Sequence, residues 1–69
     1  MANTPTLGER EYTVYAELRN GRQIRETRID GRKWYFVQPA DDNYWHAHRT
    51  PEAALRWFER SRAAMVRRG

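Results

Sequence analysis

The stretch "RNGRQIRETRIDGRKWYFV", Arg19 to Val37, decides how this chain folds. Asn20-Gly21 and Asp30-Gly31 are the two-residue signals of tight β-hairpins, because both residues tolerate positive φ. Between them, Arg22 to Ile29 has the length of one strand. After them, Arg32 to Gln38 is dense in β-formers and reads as another. Upstream, Tyr12 to Leu18 alternates, with Tyr12, Val14, Ala16 and Leu18 on one face and Thr13, Tyr15 and Glu17 on the other. Downstream, Pro39 to Asn43 reads as a loop and Tyr44 to His48 as a short fourth strand.

Thr50-Pro51-Glu52 then reads as an N-cap, a first-turn proline and a first-turn acid, opening a helix over 51–66. Its expected apolar stripe is Ala54, Leu55, Phe58 and Met65, with Trp57 on the flank. The expected fold is α+β: an antiparallel β-meander of three to four strands with one C-terminal helix on one face (ββββα). Residues 1–10 are small, polar and broken by Pro and Gly, and are expected as a flexible arm. Residues 11–69 then form a single small domain.

Two-residue turns predict a register. Leu18 would pair with Gln23 and Val14 with Thr27; Ile29 would pair with Arg32, Thr27 with Trp34 and Arg25 with Phe36. Continued across the loop, Trp45 falls beside Phe36 and Ala47 beside Trp34. One face then holds Tyr12, Val14, Ala16, Leu18, Ile29, Trp34, Phe36, Trp45 and Ala47, and is expected beneath the helix. The other holds Thr13, Tyr15, Glu17, Ile24, Glu26, Arg28, Lys33, Tyr35, Val37, Tyr44, His46 and His48, and is expected open. One strand resists this scheme. It sets Gln23 and Arg25 under the helix and Ile24 outside, unless a bulge intervenes or Arg25 reaches out to solvent.

Composition narrows function. The 69 residues include no cysteine, so disulfides and thiolate chemistry are excluded. No apolar run approaches membrane-span length, and an intracellular location is expected. Thirteen basic residues, twelve of them Arg, stand against nine acids, for a net charge of +4. This balance favours a polyanion, and Arg offers bidentate hydrogen bonds to phosphate and guanine.

Site chemistry is sparse. His46 and His48 share a face at usable ligand spacing, but no third or fourth ligand accompanies them, so no metal and no cofactor is expected. Asp41-Asp42 sits among turn formers. No nucleophile triad or phosphate loop occurs, and the chain reads as non-enzymatic. The candidate binding set is Tyr15, Arg28, Lys33, Tyr35, Tyr44, His46 and His48, where aromatic rings interleave with cations. Its expected partner is nucleic acid, DNA more than RNA. The alternative is a protein partner met by a small regulator or inhibitor of the mobile-element or anti-defence kind, with self-association possible.

The run "YWHAHRTPEAALRWF", with Thr50, Glu52, Ala53 and Ala54 as its specific part, resembles a strand-to-helix join in two families. One is the ethylene-response-type plant DNA-binding domains. The other is the N-terminal arm-binding domains of phage and transposon tyrosine recombinases. The resemblance implies a sheet whose helix-free face enters the DNA major groove, with Arg28, Lys33, Tyr35 and Tyr44 as the contacts. The chain departs from the pattern in its fourth strand and in the glutamates of that face.

Overall fold

The computed structural model describes residues 4–39 and 43–68, with the side chains of Asn20 and of residues 62–68 outside the description. Four strands, β1 (Thr13–Glu17), β2 (Gln23–Ile29), β3 (Arg32–Val37) and β4 (His46–His48), are followed by one helix, α1 (Pro51–Arg68). The strands form one antiparallel sheet in the order β1-β2-β3-β4. This is the expected ββββα architecture. Most of the expected loop, and Met65 of the expected helix stripe, fall outside what is described.

The second hairpin forms in the register its turn dictates. Asp30 (φ 54°) and Gly31 (φ 79°) both take left-handed backbone, and Ile29, Thr27 and Arg25 pair with Arg32, Trp34 and Phe36. That is the primed turn geometry whose twist suits two adjacent strands.

The first hairpin differs. Its connection is a three-residue 3-10 turn, Arg19–Gly21, closed by the Leu18 N–H donating to the Arg22 carbonyl at 2.7 Å. Glu17 therefore pairs with Gln23 and Ala16 with Ile24. A β-bulge then leaves Tyr15 over, and Val14 pairs with Arg25 and Thr13 with Glu26. One slipped residue turns a strand over. The slip at the turn sets Ala16 on the Ile24 side of the sheet, and the bulge then puts Val14 on the opposite side, with Arg25.

The faces are accordingly corrected. The core beneath α1 is Ile24, Tyr35, Val37, Ala54 and Phe58, with Ala16, Leu18 and Trp57 packed around it. Ala16 and Leu18 lie under the helix as expected. Trp34, Phe36 and Val14 do not, and Ile24, Tyr35 and Val37 take their place. In β4, Ala47 pairs with Phe36 and His46 with Val37. That is a shift of two residues from the expected register, which keeps each side chain on its expected strand face.

The second face is covered too. Phe36 is fully buried yet stands outside the helix-side cluster, and Leu7, 3% exposed, is also buried outside it. Thr4, Pro5 and Thr6 border Trp45 and Ala47, and Pro5 also borders Ile29 and Trp34. Buried Thr27 donates its hydroxyl to the Glu11 carbonyl. Residues 4–7 of the expected flexible arm are thus laid beside the sheet, with Leu7 buried, whereas Gly8 to Arg10 are exposed. On this face Arg25 is held between rings, its guanidinium carbon 4.2 Å from the Tyr12 centroid and 4.5 Å from that of Trp45. Its Nε donates to Gln23 Oε1 at 3.1 Å.

The helix begins where its cap residues place it. The Ala53 N–H donates to Thr50 Oγ1 at 3.1 Å. The stripe is rotated from the expected one. Ala54 and Phe58 are buried and Trp57 is half-buried, whereas Leu55 is exposed. Trp57 turns inward because it stacks on the two histidines of β4.

Candidate nucleic-acid interface

The seven residues expected on one open face lie on the helix's side of the sheet or at its margins, and the helix covers part of them. Tyr35 is 8% exposed and donates its hydroxyl to Glu26 Oε2 at 2.8 Å. That hydrogen bond to a carboxylate, then burial, raises its pKa above the ordinary phenol value. The Tyr15 ring meets Tyr35 edge-on at 5.4 Å and is itself half exposed. Tyr44 is exposed, its ring edge-on to His46 at 4.9 Å.

His46 stacks on Trp57 at 4.1 Å, and His48 lies 5.7 Å from the same ring. The Nε2 of His48 is buried without a hydrogen-bond partner among the described residues. Burial, then the charge of His46, lowers the His48 pKa below the ordinary imidazole value. The histidines and Tyr35 are therefore packing residues here, which corrects their expected place on an open surface. No group of three or more His, Cys, Asp or Glu able to hold a metal occurs among the described residues.

Arg28 and Lys33 behave differently. They are cross-strand partners and both are exposed. Their surroundings follow from where the flanking strands stop. Pairing of β1 ends at Glu26, and pairing of β4 ends at Tyr35. The last three pairs of the hairpin, Thr27–Trp34, Arg28–Lys33 and Ile29–Arg32, thus form a two-stranded ribbon beyond the four-stranded sheet. Alternation puts Arg28 and Lys33 on one face of this ribbon and Arg32 on the other. Next to Arg32 on that second face is Trp34, with the Arg49 guanidinium carbon 4.8 Å from its ring centroid. Among the described residues no hydrogen bond or ion pair engages the side chains of Arg28, Arg32 or Lys33.

Sequence reasoning missed Arg32 and Arg49. The signal for Arg32 was present, since an Asp-Gly turn with Arg before it and Arg-Lys after it is a basic hairpin tip. Arg49 reaches Trp34 only through the β4 register, which the loop length conceals.

Comparison with protein families, with curated proteins and with solved structures finds no match to this chain.

Proposed function

We propose that this protein is a non-enzymatic nucleic-acid-binding module that inserts the β2–β3 ribbon into the major groove of duplex DNA. The observation that carries the reading is a hairpin end basic on both faces, with Arg28 and Lys33 on one side and Arg32, then Arg49 on Trp34, on the other. A major groove about 12 Å wide admits a two-stranded ribbon and sets a phosphate backbone along each side of it. Cations on both faces suit two walls, where a one-sided patch would suit one. The stack on Trp34 holds the Arg49 guanidinium in place before any ligand arrives, which lowers the ordering cost of binding.

The site differs from the one implied by the family resemblance. Tyr35 is beneath the helix, and residues 4–7 occupy part of the helix-free face, so the ribbon takes the role of the sheet face. Arg28 and Lys33 remain contacts. The alternative reading, a small protein-binding regulator acting through the same tyrosines and arginines, keeps only Tyr15 and Tyr44 as exposed aromatic anchors. They stand at opposite edges of the sheet.

The test is a salt series with a labelled DNA duplex and with an RNA duplex of the same sequence. Affinity for DNA should fall linearly on a log–log plot of salt. The RNA duplex should bind more weakly, because its major groove is too narrow for a ribbon. Absence of DNA binding at low salt would overturn the reading.

A further inference from the structure

A different surface carries an independent inference. Strand β1 stands at the edge of the sheet, and among the described residues the main-chain groups on its outer side have no neighbouring strand. Natural edge strands are commonly blunted by lysine, proline or very short length. The opposite edge, β4, is three residues long. β1 has five residues, TVYAE, with neither lysine nor proline, and its bulge at Tyr15, itself a blunting feature, leaves Ala16 to Leu18 as a regularly paired edge beside the helix.

Apolar exposure gathers at the same edge. Tyr12, Val14, Tyr15 and Leu55 are each 39–51% exposed, and they flank β1 on both sides of the sheet. Between β1 and the first turns of α1 lies a hollow of about 160 Å³, lined by Tyr15, Ala16, Leu18, Pro51 and Leu55 over Ile24. The rim is acidic: Glu52 borders the hollow, Glu17 closes the strand, and Glu11 precedes it, all exposed. This occurs on a chain whose net charge is +4.

We propose that the β1 edge binds an extended, basic peptide segment of a partner protein as a fifth strand. Main-chain hydrogen bonds to β1 supply affinity, and alternate side chains of the added strand supply specificity. An apolar side chain facing the helix side fills the hollow, its neighbours lie on Tyr12 and Val14, and flanking Lys or Arg residues meet Glu17 and Glu52. A second copy of this chain fits less well, because β1 paired with β1 sets the acidic rim against itself. Nucleic acid is repelled by the same rim.

The experiment is an amide-resolved NMR titration of the full chain with the acetylated peptide Lys-Thr-Val-Thr-Val-Lys-Lys, and with the same peptide carrying Glu for every Lys. Shifts are expected at Thr13–Glu17 and Leu55, with Arg28–Lys33 unmoved. The basic peptide should bind at least about tenfold more tightly than the acidic one, and Leu55→Lys should weaken it by a similar factor. DNA binding by Leu55→Lys should match wild type, so this surface and the ribbon fail or stand separately. No shift at millimolar peptide, or equal binding of the two peptides, overturns the proposal. So does a dimer in sedimentation whose β1 amides are protected from exchange, which would make a second copy the occupant.

Discussion

Replacing Arg28, Arg32 and Lys33 together with Gln should change how DNA binding responds to salt more than it changes the protein. Each neutralised phosphate contributes about 0.9 to the slope of log affinity against log salt. If each of the three ribbon cations meets one phosphate, the triple variant loses about 2.7 from that slope. Between about 50 and 200 mM salt, a fourfold rise, wild type should lose about 40-fold more affinity than the variant does. All three side chains are exposed and unengaged among the described residues, so stability should move by no more than about 0.5 kcal/mol. Fluorescence anisotropy of a labelled duplex, read at five salt concentrations, gives both slopes, and thermal melts confirm folding. A folded variant with the wild-type slope would refute the ribbon as the contact surface.

Three further outcomes test the packing. Phe36→Ala should cost about 3–5 kcal/mol and Leu7→Ala about 2–5 kcal/mol in urea unfolding; a near-neutral Leu7→Ala would show that residues 4–10 contribute nothing to the second face. His48 is buried with a pKa below the unfolded value, so in the window between the two the unfolded chain binds more protons. Stability should therefore fall as pH drops through about 6.5 and stop falling, on this account, below the folded-state pKa, while His48→Phe should remove that component from the melting profile. Tyr35→Phe should cost about 0.5–1.5 kcal/mol by deleting the hydrogen bond to Glu26, and in ultraviolet titration it should remove a phenol that ionises above the ordinary range.

The element order was legible because each boundary has its own chemistry. Asp30-Gly31 set the β2–β3 register, and Thr50 set the helix start. The faces were not legible, because parity passes through every turn and bulge on the way. A three-residue turn where Asn-Gly suggested two sufficed to turn the central strands over beneath Ala16 and Leu18, and one extra residue at Tyr15 then parted Val14 from them. Ile24 and Val37 had pointed to the error, as aliphatic residues on a face expected to be open. The unbroken Trp-Tyr-Phe-Val run of β3 was a second pointer, since a strand apolar at successive positions is one buried on both sides. Nothing in Met1 to Gly8 marks Leu7 as a core residue except that it is the one large aliphatic side chain there. For the site, the cations at the Asp-Gly turn were visible, but their standing beyond both flanking strands depends on where β1 and β4 stop pairing.

The two faces of the sheet are covered by opposite ends of the described chain, residues 4–7 on part of one and α1 on the other. On the ribosome these covers become available at different times. Leu7 emerges before the described strands and can be buried before α1 is made. Ile24, Tyr35 and Val37 must wait for α1, the last of the described elements to be made. Until then the nascent meander shows a bare apolar face next to an unpaired β1 edge, which is the combination that chaperones bind and that aggregation exploits.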